Sequence, residues 1–153
     1  MSLMLQQEGL RLDIERLSAW GEATPEAFAG VWYDTDEALQ GRGPVRIGLA
    51  VVGDTEEAAR AVHELLDHPE SLTISSQPRT LVALEHLASR IAAKEFGPDR
   101  LTGTSHVSAV CANVHRNLVQ VSIWDDDPDF AEKVIAHYGA GWIFVDVARP
   151  MHF

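Results

Sequence analysis

Three aspartates at alternating positions form the densest group of metal-type ligands in this 153-residue chain: Asp125, Asp127 and Asp129. A calcium loop places carboxylates at this spacing, but it also needs a glycine at its sixth position and a glutamate at its twelfth. Those positions hold Phe130 and Ala136. The run is instead typical of a helix start at Asp127, where acidic side chains meet the positive end of the helix dipole.

The seven histidines and the single cysteine lack the spacing of known catalytic or metal-binding motifs. No two histidines lie four positions apart, and no Cys-x-x-Cys occurs. Cys111 falls within a predicted strand, where a small buried hydrophobe is expected rather than a reactive thiolate. Gly48 and Gly53 are spaced like P-loop glycines, but Asp54 stands where the phosphate-binding lysine belongs. We therefore predict no catalytic residue, no metal site and no cofactor. Three histidines could still converge in three dimensions: His106, His115 and His137.

The composition limits the classes of partner. With 12 basic and 23 acidic residues, the net charge of -11 opposes the phosphate contacts that supply most nucleic-acid affinity. We therefore expect no nucleic-acid partner and no anionic membrane partner. No apolar stretch is long enough for a membrane span, and the first residues lack a signal-peptide pattern, which predicts a cytoplasmic protein. Met1-Ser2-Leu3 stands before a second methionine, Met4, so these first residues need not be the native start. An export signal that has been trimmed away is therefore an alternative.

Apolar periodicity and turn residues predict one α+β domain spanning residues 1–153. The predicted order is an N-terminal helical segment (1–30), a first ββαβ unit (31–75), a linking helix (78–97), a second ββαβ unit (106–147) and a tail (148–153).

Local signals refine this order at several points. An amphipathic helix is predicted over 3–17, a single helical turn over 25–29 and a polar loop over 35–44. Asp54 is expected to cap the helix of the first unit, and Asn117 to adopt a positive φ in the hairpin of the second.

The two ββαβ units align at a constant offset of 72 residues. The aligned pairs are Ile47 with Val119, Leu49 with Val121, Val51 with Ile123, Asp54 with Asp126, Ala59 with Ala131 and Val62 with Val134. Strand alternation, helix cap and helix face all align at this one offset, which favours an internal duplication, although any two ββαβ units could align in the same way. We expect antiparallel-rich sheets with the helices on one face.

Two segments resemble the pro-regions of secreted serine proteases of the α-lytic and streptogrisin type. Segment 28–34 reads Phe-Ala-Gly-Val-Trp-Tyr-Asp, and segment 113–121 reads Asn-Val-His-Arg-Asn-Leu-Val-Gln-Val, with Asn113 where the family usually has aspartate. The resemblance covers roughly residues 28–147. It implies a domain that assists protease folding and then inhibits the enzyme, pairing its sheet with a protease hairpin and laying its tail in the active-site cleft. The helix before Thr24 is an addition to that pattern.

Aromatic residues in the predicted strands are the candidate interface. If Trp142 and Phe144 point away from Ile143 and Val145, both sides of the last strand are apolar, and a single helix layer covers only one. The predicted interface residues are Trp142, Phe144, Trp124 and Trp32, and the tail residues expected in a partner's cleft are Met151, His152 and Phe153.

These observations favour a non-enzymatic protein-interaction domain that binds a protein partner or a second copy of itself, a homodimer being the simplest form. The alternative is a small-ligand-binding protein or enzyme with a site between the two repeats. A purely self-associating scaffold is the third class.

Overall fold

The computed structural model describes residues 1–95 and 106–148. It has an α+β fold with two three-stranded sheets, as predicted, but each sheet is mixed, with one antiparallel and one parallel pair, and is not antiparallel-rich. The elements are α1 (Leu3–Ala23), β1 (Phe28–Asp34), α2 (Asp36–Leu39), β2 (Arg46–Val51), α3 (Thr55–Val62), β3 (Leu72–Ser76), α4 (Leu81–Glu95), β4 (Val107–Asn113), β5 (Leu118–Ile123), α5 (Pro128–Tyr138) and β6 (Ile143–Val147). Two 3₁₀ turns, His63–Leu65 and Pro69–Ser71, connect α3 to β3. Among these helices, none is both long and apolar enough to cross a membrane.

Backbone contacts divide the chain into two compact units, residues 1–82 and residues 83–153. In the first unit, β2 is the central strand, antiparallel to β1 and parallel to β3. Its residues Ile47, Leu49 and Val51 are buried against α1 and α3, which contribute Leu17 and Val62 to the same core. Alternate residues of a strand point to opposite faces, so the helices cover one face of this sheet.

The second unit repeats this arrangement. β5 is central, antiparallel to β4 and parallel to β6, and both antiparallel pairs have an irregularity near the start of their first strand. Ile47 pairs with Leu72 in the first sheet, and Val119 pairs with Ile143 in the second. The central strands β2 and β5 therefore keep the predicted offset of 72, whereas the last strands are offset by 71 and the helix caps, Asp54 and Asp127, by 73.

The helix predicted as a linker belongs to the core of the second unit. Leu84, Leu87 and Ile91 of α4 are buried in one cluster with the strands β4, β5 and β6. α4 also contacts α5, because the Tyr138 hydroxyl donates to Glu95 Oε1 at 3.1 Å. Burial, with this hydrogen bond and the Glu95 charge, raises the pKa of Tyr138 to about 12. In each unit, one helix before the hairpin and one after the central strand cover the sheet.

Several local signals are confirmed and others were misjudged. The Asp54 carboxylate accepts from the backbone N–H of Glu56 and Glu57, and Asn117 has a φ of 54°. The predicted turn over 25–29 is wrong at its end, because β1 already begins at Phe28, whose side chain packs on Trp20. Part of the predicted loop forms the short helix α2, and α1 continues past residue 17 to Ala23.

A buried carboxylate on α1 holds the connection between α3 and β3. Asp13 is 1% exposed and lies between Leu10 and Leu17 on the buried side of the helix. Its two oxygens each accept a backbone N–H at 2.8 Å, from Asp67 and from His68. A buried charge is tolerated when hydrogen bonds satisfy it, so this pair of bonds fixes the turn onto α1.

We predict that Asp13→Ala lowers the free energy of unfolding by roughly 2–4 kcal/mol, because two backbone donors lose their acceptor. The control is Asp67→Ala, which removes the 3.0 Å ion pair of an exposed carboxylate with Arg16 but keeps the backbone donor. It should cost no more than about 1 kcal/mol. Urea denaturation compares the two, and equal losses would contradict the role assigned to Asp13.

Candidate functional site

The second sheet has one face that the helices α4 and α5 do not cover. Its core side carries Val119, Val121 and Ile123 of the central strand. Strand alternation places the intervening residues on the other side, and the register brings their neighbours from β4 and β6 alongside. This open face consists of Ala109, Cys111, Asn113, Gln120, Ser122, Phe144 and Asp146.

A hydrogen-bonded chain of polar side chains crosses the open face from edge to edge. Asp146 on β6 accepts from Ser122 Oγ at 2.6 Å and from Gln120 Nε2 at 2.7 Å, so each of its carboxylate oxygens has a donor on β5. Gln120 Oε1 then accepts from Asn113 Nδ2 on β4 at 3.3 Å. Such a network fixes side chains that would otherwise rotate freely on a solvated surface. The open face is therefore a pre-organised surface.

An arginine covers the aromatic residue of this face. The Arg116 guanidinium lies 4.5 Å from the centre of the Phe144 ring, a cation–π distance. Its backbone N–H donates to Asn113 Oδ1 at 3.0 Å, which holds the hairpin turn over the sheet. Phe144 lies outside the buried core cluster, whereas its neighbour Ile143 belongs to it.

The other aromatic residues of the predicted interface lie at different places. Trp142 is 38% exposed and its ring lies close to Gly139, at the entry to β6. Trp124 directly follows β5 and is 61% exposed. Trp32 belongs to the first unit. That these four residues contact a partner stays a prediction, and the tail residues Met151, His152 and Phe153 lie outside the described part of the chain.

Trp32 compensates for a glycine in the central strand of the first sheet. It pairs with Gly48, and a Cβ built on that glycine would lie 2.3 Å from the indole Cε2. The ring thus fills the space that a side chain would occupy, as aromatic residues do opposite glycines in sheets. This explains why Gly48, which resembled part of a phosphate loop, serves the packing of the sheet.

β6 is an edge strand, and half of its backbone groups are not bonded to β5. Val119 N–H donates to Trp142 O, and Ala148 N–H donates to Ile123 O, so the even-numbered residues of β6 bond to β5. The backbone groups of Ile143, Val145 and Val147 then point away from the sheet, and no described residue pairs with that edge. The sheet can accept a further strand there.

The open face carries one thiol beside its hydrogen-bonded polar residues. This thiol, Cys111, was predicted to be buried but is exposed, and it pairs in register with Gln120, which is neither acid nor base. Over residues 1–95 and 106–148, no group of three His, Cys, Asp or Glu side chains is arranged to hold a metal ion. Sequence reasoning missed Asp146 and Arg116, although the polar residues alternating with valines in β5 did indicate a second, solvated face.

We predict that Asp146→Ala loosens β6 and lowers the free energy of unfolding by roughly 1–2 kcal/mol, because two donors on β5 lose their acceptor. Amide exchange at Phe144 should accelerate. Asp126→Ala is the control, since that carboxylate is exposed and should change stability by less than about 0.5 kcal/mol. Unchanged exchange in the first variant would show that the network does not hold the strand.

We also predict that Gly48→Ala displaces Trp32 and costs roughly 1–3 kcal/mol of stability, because the new methyl group overlaps the indole. Gly9→Ala is the matched control, since nothing lies within 4 Å of its added Cβ and the helix should gain up to about 1 kcal/mol. Thermal unfolding and tryptophan emission report both effects. A stable Gly48→Ala variant with unchanged emission would refute the packing role.

Neither a protein family nor a curated protein sequence matches this chain at a significant level.

Proposed function

We propose that the chain is a protein-interaction domain, and that its second unit binds an extended strand of a partner protein along β6. The observation that carries this proposal is the outward orientation of the backbone groups of Ile143, Val145 and Val147. In strand addition, main-chain hydrogen bonds supply affinity and the neighbouring side chains supply specificity. The resemblance to protease pro-regions, whose sheet pairs with a protease hairpin, agrees with this mode.

The composition of β6 supports a binding role for its edge. Exposed edge strands are often protected from unwanted pairing by a charge, a proline or a bulge. β6 reads Ile-Phe-Val-Asp-Val and its register with β5 is regular, so it has no proline and no bulge, and Asp146 is its only charge. Its one charge, Asp146, is turned toward β5 by two hydrogen bonds and leaves the edge apolar.

The aromatic residues beside this edge supply the side-chain contacts. Phe144 is fixed under Arg116, and Trp142 lies at the entry to the strand and is partly exposed. Large rigid rings bury much area at little entropic cost, which is why they dominate binding energies at interfaces. A partner strand on β6 would meet both rings on the open-face side.

The proposal is tested with a secreted serine protease of the α-lytic type and the full chain, by measuring saturable binding in solution. Val145→Pro removes one outward N–H and no hydrogen bond to β5, since proline lacks only that donor. It should weaken binding about tenfold or more, the value of one hydrogen bond. Val145→Thr keeps the donor and should bind within about twofold.

Circular dichroism and thermal unfolding of both variants separate loss of binding from loss of the fold. Equal affinity of the Val145→Pro and Val145→Thr variants would exclude strand addition on β6. No saturable binding of the unmodified chain would refute the protease-type partner. Removing residues 149–153 leaves β6 and its last hydrogen bond, from Ala148, in place. This truncation should therefore weaken binding only if the tail occupies the cleft.

A further inference from the structure

A second binding feature lies in the first unit, between α3 and β3. This β3 groove has a volume of about 340 Å³. Glu56 and Ala59 of α3 form one wall, Leu72 and Ile74 of β3 form the other, and His63 and Pro69 close one end. Leu72 and Ile74 pack only partly into the core, so the β3 wall of the groove is apolar.

The backbone of β3 is open along only part of its edge. Gln77 N–H donates to Val51 O, so the odd-numbered residues of β3 bond to β2 and the even-numbered ones face outward. At Leu72 the outward groups are used, because its N–H donates to Pro69 O and its carbonyl accepts from Arg46. Ile74 and Ser76 remain, and no strand among the described residues pairs with them.

The two ends of the β3 groove differ in charge. The Ser76 hydroxyl donates to Gly53 O, which places the last residue of β3 beside the start of α3. That end carries the carboxylate of Glu56, and Asp54, whose carboxylate caps the helix, lies next to it outside the groove. The opposite end carries the His63 imidazole and Pro69. A ligand that complements the groove is therefore basic at the Ser76 end.

We propose that the β3 groove binds an extended peptide as an antiparallel fourth strand beside Ile74 and Ser76. Antiparallel pairing is the more stable of the two directions, and it places the peptide's amino-terminal part at the acidic end. Residues two apart face the same side of a strand. A lysine or arginine near Glu56, followed two positions later by an apolar side chain over Ala59, fits the groove. This site is independent of the proposed interface on β6.

The first test uses the full chain and a fluorescent peptide, acetyl-Lys-Thr-Val-Thr-Leu-amide, whose binding is followed by anisotropy. Ala59→Leu fills the groove and should weaken binding about tenfold or more. Ala61→Leu is the matched control on the same helix, because Ala61 is exposed and lines a different depression. Equal affinities for the two variants, or no binding of this peptide at millimolar concentration, would overturn the proposal.

The second test addresses the charge. Glu56→Gln should weaken binding of the lysine peptide about two- to fivefold, the range of an exposed ion pair, and should not affect a peptide with glutamine in place of lysine. Glu57→Gln, one position away and outside the groove, should change neither affinity. Equal effects of the two substitutions would refute the predicted peptide orientation.

A second copy of the chain is the competing occupant of the groove. Sedimentation of the unmodified chain as a monomer at high concentration would support the peptide proposal. A dimer that Ala59→Leu dissociates and Ala61→Leu does not would assign the groove to a second copy and overturn it.

Discussion

The position of the last strand in each unit, at the edge of its sheet, is the constraint on which the rest of the structure depends. In both units the last strand is reached by a helical crossover and joins the central strand in parallel, so it becomes the edge of a three-stranded sheet. Alternate residues of an edge strand direct their backbone groups outward, and those groups must be met by water or by another chain. Both binding proposals follow from this constraint, because β3 and β6 are the edge strands that it creates.

The two units share one topology, but their sheets differ on the face that their helices do not cover. In the first sheet, Gly48 and Ala50 of the central strand are buried on that side, and Trp32 lies over the glycine. In the second sheet the corresponding positions carry Gln120 and Ser122, which bond to Asp146. Small residues allow an aromatic ring to close over a strand, whereas polar side chains need partners and stay at the surface. The repeated architecture therefore has one filled face and one hydrogen-bonded, partly solvated face.

The order of elements along the chain and the core faces of β2 and β5 were predictable from the sequence, because apolar alternation is a local pattern, whereas the parallel pairing of the last strands was not. The role of α4 was not, since helical periodicity shows that Leu84, Leu87 and Ile91 share a face but not which sheet they cover. The Asp13 contacts join α1 to a turn more than fifty positions away. The Asp146 network likewise joins three strands that only the register brings together. Both are tertiary hydrogen bonds, for which a single sequence carries no local signal.

Net charge completes the physical account of the two edges. A chain with edge strands such as β3 and β6 is exposed to pairing between copies of itself. The net charge of -11 opposes the approach of identical chains over distances of about a Debye length, near 10 Å at moderate salt. The same charge attracts a basic segment of another protein, and the carboxylate of Glu56 beside β3 focuses that attraction at one end of the β3 groove. The same carboxylates thus repel other copies of the chain and attract a basic strand. Together these two effects favour binding of a different protein at the edge strands over pairing between copies.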